Sequence, residues 1–271
     1  MPSSDADHVI DLLREGHDDL AAIASGLSND QITGPSGASD WDVSQVLGHL
    51  GSGAEIARAG LEATVAGDPP PAGDFNQSVW DRWDAMASSE RVAAFVEADE
   101  AYVAMLEALG PDVRRDLRVS LPWLPEPVDL ATVLMFRLSE ATFHSWDVRV
   151  GLDADATLRP GPVGLLADRM APQFAFLGQA AAMDATVAVA VTTSEPDRAF
   201  LLTVGEGVTV EPVGADDADA SEGADGVLRA PAEAWMRLLT GRLGPSRTPA
   251  TVSLDAADVT LDDLRRVFPG F

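Results

Sequence analysis

Two histidines and one glutamate have the types and spacing to bind a divalent metal ion. Glu140 and His144 lie four residues apart within RLSEATFHSWDV. On a helix both side chains therefore project from one face, one turn apart. His49 lies in a second segment with an amphipathic helical pattern, WDVSQVLGHL. Two imidazoles and one carboxylate around a cation leave coordination positions open, which is typical of a catalytic rather than a structural metal site.

The absence of cysteine limits the chemistry that such a site can do. Any metal must be held by nitrogen and oxygen, and any sulfur nucleophile must be a bound thiol from outside the protein. Metal coordination deprotonates a thiol, so a group with a solution pKa of about 8.5 becomes a thiolate near pH 7. A thiolate adds to an electrophilic double bond. Rotation and release then give cis–trans isomerisation, whereas retention of the adduct gives thiol transfer.

Each candidate ligand also has a purely structural interpretation. His49 or His144 alone would equally fit a hydrogen-bonded core histidine. Glu140 lies three residues after Arg137, so a helix ion pair is its structural alternative. The coincidence of all three ligand types on predicted bundle helices favours the metal site. Asp147 is a candidate to orient a ligand histidine, although a solvated role fits it equally.

Trp41 and Trp146 flank the predicted ligands. Core packing is the simpler interpretation for both indoles, and lining the thiol pocket is the alternative that makes them candidate cofactor-binding residues. His8 and His17 are expected at the surface or behind the ligands.

Composition excludes several classes of partner. The chain has 271 residues, 46% hydrophobic and 23% charged, with a net charge of −26. This is typical of a folded protein whose surface repels nucleic acid and anionic membranes. No apolar run approaches the ~18–20 residues of a membrane-spanning helix, and MPSSDADH is unlike a secretory signal, so we expect a cytoplasmic monomer or small homo-oligomer. All basic residues are arginine, which suggests a GC-rich, actinobacterial or salt-adapted source.

Four long helices are predicted in the first half, over residues 5–27, 42–65, 89–109 and 130–152. Asp42 is a good N-cap for the second helix, and Gln45 completes a capping box. The Pro-interrupted stretch 111–129 is predicted to be a connection. Four such helices indicate a four-helix bundle, whose interior is a usual place for a metal site.

The second half changes character. A helix is predicted over 162–183, and strands are predicted over 186–193, 199–205, 207–213 and 251–256. The stretch from 226 is predicted to be a strand that enters a helix ending at Gly241 or Gly244, and a final helix is predicted over 261–268. Residues 215–225 form a predicted acidic loop. The sequence thus predicts an α+β protein of two domains: a helical bundle over 1–155 and a smaller α+β domain over 156–271.

Three segments carry a family resemblance. WDVSQVLGHL, the PW of SLPWLPEP, and FRLSEATFHSWDVRVGL resemble the mycothiol-dependent maleylpyruvate isomerase family of the DinB-like superfamily. The stretch LRAPAEAWMRLLTGRL is similar to the sterol-carrier-protein-like domain often fused to it. Together the resemblance covers nearly the whole chain.

The resemblance implies a DinB-like bundle that holds zinc or another divalent ion through His49, Glu140 and His144. It implies mycothiol as the thiol cosubstrate at the open position. It also implies a catalytic arginine from the second domain, for which Arg242 is the first choice and Arg237 the next, with Arg229 also a candidate. Such an arginine would hold substrate carboxylates through paired hydrogen bonds.

The predicted function is therefore a metal- and mycothiol-dependent enzyme that transfers the thiol to a small electrophile or isomerises it. Thiol transfer is favoured over maleylpyruvate isomerisation, because the family is large and few members need be isomerases. One alternative is a metal-dependent hydrolase that uses a metal-bound water. The other is a non-catalytic protein that binds a small ligand.

Overall fold

The computed structural model describes residues 5–214 and 223–270 of the chain. These residues form two compact units, of which the first ends at Ala156 and the second begins at Thr157.

The first unit is mostly helical. Its elements run in the order α1 (Asp5–Ser25), α2 (Asn29–Ile32), α3 (Val43–Ala66), α4 (Phe75–Asp84), α5 (Ser88–Ala108), α6 (Pro111–Asp116), β1 (Arg118–Val119), β2 (Val128–Asp129) and α7 (Leu130–Leu152). The long helices α1, α3, α5 and α7 pack against one another, with α3 between α5 and α7 and with α1 against the same two helices. The predicted four-helix bundle is confirmed.

Local capping fixes where the two helices with candidate ligands begin. The Asp42 carboxylate accepts the backbone N–H of Gln45 at 2.8 Å, and the Gln45 side-chain oxygen accepts the N–H of Asp42 at 2.9 Å. This is the capping box predicted from the sequence, and it starts α3 one residue later, at Val43. Asp129 caps α7 in the same way by accepting the N–H of Thr132 at 2.8 Å.

The helices α3 and α5 approach closely because α3 presents glycine at two contact points. A Cβ atom added at Gly48 would lie 2.3 Å from Cδ of Arg91, and one at Gly51 would lie 2.2 Å from Cη2 of Trp83. Both distances are far shorter than a real carbon–carbon contact. The space that other residues would fill is therefore occupied by side chains from α4 and α5.

A buried charged network crosses the bundle. Nη2 of Arg137 on α7 donates to the Asp99 carboxylate at 2.6 Å and to the backbone oxygen of Leu50 at 2.9 Å. The other oxygen of Asp99 lies 3.0 Å from Nδ1 of His17 on α1. Burial acts to raise the pKa of Asp99, but the hydrogen bond with His17 and the charge of Arg137 outweigh it and lower that pKa. The network joins all four long helices.

The stretch between α5 and α7 has more structure than the predicted connection. Pro111 is placed at the first turn of the short helix α6, where its missing N–H is not needed. The strands β1 and β2 then pair antiparallel, with Arg118 opposite Asp129. These elements were missed because both strands have only two residues, too short for an alternating pattern.

The second unit is an α+β structure. Its elements are α8 (Pro160–Ala175), β3 (Val187–Ser194), β4 (Arg198–Val204), β5 (Val208–Val213), β6 (Gly226–Pro231), α9 (Ala232–Leu239), β7 (Ser253–Ala256) and α10 (Leu261–Val267), with short 3₁₀ turns at Ala180–Ala182 and Pro245–Arg247. The sheet order is β5-β4-β3-β6-β7, in which only β3 and β6 pair in parallel.

The α+β class is confirmed, while one predicted helix end is wrong. The helix predicted to run to 183 ends at Ala175. The predicted end of α9 at Gly241 is confirmed, because the helix runs to Leu239, Thr240 is its C-cap and Gly241 adopts a φ of 72°. The predicted acidic loop includes residues 215–222, which lie outside the described residues. The sterol-carrier-like nature of this unit stays a prediction. Among the described helices, none is long and apolar enough to cross a membrane.

Asp99→Ala tests the importance of the buried network for stability. The substitution leaves the Arg137 charge buried without its carboxylate, so we expect a loss of about 3–5 kcal/mol in the free energy of unfolding. Urea denaturation followed by circular dichroism measures it. Asp116→Ala, which removes an exposed partner of Arg115, is the control and should leave the midpoint unchanged. A loss for Asp99→Ala no larger than the control's would contradict the stabilising role.

The same network gives a direction for the pH dependence of stability. The pKa of Asp99 is lower in the folded state than in the unfolded chain, where it is about 3.9. Its contribution is therefore fully present above that unfolded value and is lost as the pH falls. In acid titrations monitored by circular dichroism, the difference in stability between the wild type and Asp99→Ala should shrink as the pH drops below about 4.

Candidate metal centre

The structure brings the three predicted ligands together on two adjacent helices. His49 projects from α3, while Glu140 and His144 project from α7 one turn apart. Oε2 of Glu140 lies 3.0 Å from Nε2 of His49 and 3.5 Å from Nε2 of His144. One donor atom from each residue lies within 4.8 Å of the other two. This is the donor set of two nitrogens and one oxygen that a divalent cation needs.

A buried carboxylate fixes the orientation of His144. Nδ1 of His144 lies 2.9 Å from Oδ2 of Asp147, a side chain with 0% exposure. An ionised carboxylate only accepts hydrogen bonds, so Nδ1 of the neutral imidazole carries the proton and donates it. Nε2 of His144 then faces the oxygen of Glu140, 3.5 Å away. When Nε2 is also protonated it donates to that carboxylate, and when it is not, its lone pair is directed at the position of a cation.

The electrostatics keep Glu140 ionised. Partial burial acts to raise its pKa, but the interactions with His144 and His49 are stronger and lower it well below the usual range. The alternative ion pair between Glu140 and Arg137 is not formed, because Arg137 donates instead to Asp99 and to Leu50. Glu140 is therefore a carboxylate directed at the two imidazoles.

Trp41 packs over the candidate ligands. Its ring centroid lies 5.2 Å from that of His49 and 6.1 Å from that of His144. The segment that carries it is tied to α7, because the backbone N–H of Gly37 donates to the oxygen of Asp147 at 2.7 Å. Trp41 thus restricts the ligand rings on one side, while 37% of its own surface stays exposed.

Trp146 has a different environment from Trp41. It is 1% exposed and its indole N–H donates to the backbone oxygen of Ala156 at 2.8 Å. Its placement fits the core-packing interpretation, in contrast to the cofactor-binding alternative. Both indoles were candidates because each lies near a predicted ligand in the sequence. Proximity in the sequence does not show whether a side chain faces the core or a pocket.

A cavity of about 470 Å³ adjoins His49. Its wall is formed by residues from the segment before α3, from α3 itself, from α4 and from α5, namely Trp41, Gln45, Gly48, His49, Ser52, Trp80, Trp83, Asp84 and Arg91. Trp41 and His49 of this set are predicted from the sequence, whereas Asp84 and Arg91 are not. Those two residues are more than 30 positions from His49, so no local spacing relates them to it.

The candidate catalytic arginines lie in the second unit, where both are buried. Nε and Nη2 of Arg237 each donate to the Glu233 carboxylate at 2.8 Å, and Nη1 donates to the oxygen of Arg247 at 3.0 Å. Nη1 of Arg242 donates to the oxygen of Thr240 at 3.1 Å. A catalytic role for either arginine stays a prediction.

The other histidines lie away from these three ligands. His8 is exposed, whereas His17 is buried and contacts Asp99 and Glu100. His17, Asp18 and Glu100 form a second group of potential ligands. Arg14 binds this group through Glu100 and Asp18, which supplies the positive charge that a cation would otherwise provide.

Fold and site define a helical-bundle protein with a candidate metal centre between two helices, followed by an α+β unit. A family model, the mycothiol maleylpyruvate isomerase N-terminal domain, matches residues 13–149, a span that includes all three candidate ligands. The chain belongs to this family.

Solved structures extend the likeness beyond the bundle. Crystal structures of the mycothiol-dependent maleylpyruvate isomerase and of a histidine-to-alanine mutant of that enzyme match with TM-scores of 0.62 and 0.63, at 14% and 13% identity. Each match covers 94% of this chain and 95% of the other. At this identity the likeness concerns the fold alone. No curated protein sequence matches the chain.

Asp147→Asn tests how the candidate centre is oriented. An amide can present its N–H₂ to His144 and so favour the wrong tautomer, and loss of such a carboxylate typically weakens metal binding by about 10–100-fold. Competition with a chromophoric zinc chelator measures the affinity. Asp153→Asn, at the exposed end of α7, is the matched control and should bind zinc like the wild type. Equal affinities for all three proteins would rule out the orienting role.

Proposed function

We propose that the chain is a divalent-metal- and mycothiol-dependent enzyme that adds the thiol to a small electrophile, as a thiol transferase or an isomerase. The observation that carries this proposal is the convergence of His49, Glu140 and His144 beside an open cavity. Family membership supports mycothiol as the cosubstrate.

The residues present fit a resident metal ion. The donor atoms are two imidazole nitrogens and a carboxylate oxygen, and the Asp147 bond leaves the lone pair of His144 Nε2 directed at the site. Zinc is the first choice for this donor set, although iron, nickel and manganese also accept it. When bound, such an ion would supply the Lewis acidity that keeps a thiol ionised at neutral pH.

The charge of the ligand set suits a thiolate. Two neutral imidazoles and one carboxylate compensate one of the two positive charges of a divalent ion, so an incoming thiolate makes the site neutral. Glu140 carries its share of this charge as an ionised carboxylate at neutral pH. Trp41, packed over both imidazoles, restricts access of water to the ligand rings.

Both proposed reactions begin with the same addition. The sulfur forms a bond to one carbon of an electrophilic double bond, and the electron pair moves towards the activating carbonyl group. In transfer, the adjacent carbon takes up a proton and the adduct is released. In isomerisation, the carbon–carbon bond rotates, the electron pair returns and the sulfur leaves. We favour transfer as the general description, because it needs only the shared first step and protonation.

An arginine of the second unit is proposed to hold carboxylates of the electrophile. Arg242 stays the first choice and Arg237 the second, as the family resemblance implies, and both side chains are buried.

Replacing His49 tests both the metal and the thiol requirement. His49 is 39% exposed at its side chain, so His49→Ala should fold and yet lose stoichiometric metal. Metal content after reconstitution, measured by mass spectrometry, should be one ion per chain in the wild type and in the control His8→Ala. Activity towards maleylpyruvate or a simple α,β-unsaturated carbonyl compound should require both metal and mycothiol. Substoichiometric metal in the reconstituted wild type would refute the proposal, and activity that persists without any thiol would favour hydrolysis.

A further inference from the structure

The cavity beside His49 has aromatic walls. Trp41 and Trp80 line it with 37% and 44% of their surfaces exposed, so both indoles present area to a bound molecule. Trp83 is fixed behind them by donating its indole N–H to Glu55 at 3.0 Å. Flat, rigid indole faces suit the C–H faces of a saturated ring, and their N–H groups suit hydroxyl oxygens.

Polar groups of both kinds line the same cavity. The side-chain oxygen of Gln45 accepts the N–H of Asp42, which fixes the amide and leaves its N–H₂ group as a donor. The Asp84 carboxylate makes no hydrogen bond to any of the described residues and is available as an acceptor. One donor and one acceptor match the dual character of a hydroxyl group.

Arg91 lines the cavity but is not placed to bind an anion. Its Nε donates to the backbone oxygen of Trp83 at 3.3 Å, and Nη1 donates to Oγ of Ser44 at 3.3 Å. Its Nη2 donates to the backbone oxygens of Asp84 and Met86, both at 3.2 Å. The guanidinium therefore holds the α4–α5 connection onto α3, and no N–H pair is left for a bidentate carboxylate bond.

The charge and size of the cavity define the class of ligand. The unpaired Asp84 carboxylate repels an anion, and its desolvation disfavours a purely apolar ligand. Indole faces with a donor and an acceptor fit a neutral molecule with many hydroxyl groups. A volume of about 470 Å³ accommodates a group of one to two sugar rings.

We propose that this cavity binds the neutral polyhydroxylated body of the thiol and not the carboxylates of the electrophile. This inference rests on the proposed function, and it states where in the structure the thiol cosubstrate binds. Mycothiol consists of N-acetylcysteine joined to an amino sugar and an inositol. With its sulfur at the His49 end of the cavity, its two rings extend between Trp80 and Asp84, and the electrophile approaches from outside this cavity.

Thiol binding to the cobalt-substituted full chain tests the proposal without using activity. Absorption from thiolate-to-cobalt charge transfer reports the affinity for mycothiol and for the neutral N-acetylcysteine amide, which lacks both rings. Mycothiol should bind at least about 10-fold more tightly, a difference of roughly 1.4 kcal/mol. Trp80→Ala and Asp84→Asn should each remove most of this preference and leave the affinity for N-acetylcysteine amide unchanged. Asp81→Asn, one turn earlier on α4, is the matched control and should keep the preference.

Two results would overturn the assignment: equal affinities of the wild type for both thiols, or variants that weaken both thiols alike. If neither thiol produces the absorption band, the proposed function fails, and calorimetry with the thiol-free amino sugar–inositol conjugate decides the assignment independently. Binding of that conjugate that is lost in Trp80→Ala and Asp84→Asn supports the assignment, and absence of binding refutes it.

Discussion

The candidate centre depends on the alignment of α3 with α7, because neither helix carries all three ligands. One guanidinium fixes that alignment. Nη2 of Arg137, three residues before Glu140, donates to the backbone oxygen of Leu50, the residue that follows His49. The same nitrogen also donates to the carboxylate of Asp99 on α5, and this bond holds the guanidinium in place. A slip of α3 by one turn, about 5.4 Å, would break this bond and move His49 out of reach of Glu140.

The remaining parts of the site follow from this alignment. Asp147 turns His144 towards Glu140, and the segment ending in Trp41 is tied to the backbone of Asp147. Each group is therefore positioned by α7 or by a residue bonded to it. In the proposed function the sulfur nucleophile of this cysteine-free chain comes from solution, and the cavity beside His49 is proposed to hold the hydroxyl-rich bulk of that molecule.

Local physics explains which features the sequence predicts. The capping box of Asp42 and Gln45 and the four-residue spacing of Glu140 and His144 depend on neighbours within one helical turn, so both are readable from the chain. The pairing of His49 with Glu140 joins residues 91 positions apart. This pairing was predictable only because the predicted bundle helices contain few histidines that could bind a metal. The Arg137–Asp99 pair, the wall residues Asp84 and Arg91, and the two-residue strands have no such local signal.

The glycine at position 48 has a consequence for how this protein can diversify. Arg91 lies directly against it, so any side chain there would push the arginine away and release the α4–α5 connection from α3. The residue next to His49 is therefore restricted to glycine. The exposed positions of α4 are not restricted in this way. Trp80 and Asp84 can therefore be exchanged without disturbing the two helices that carry His49, Glu140 and His144.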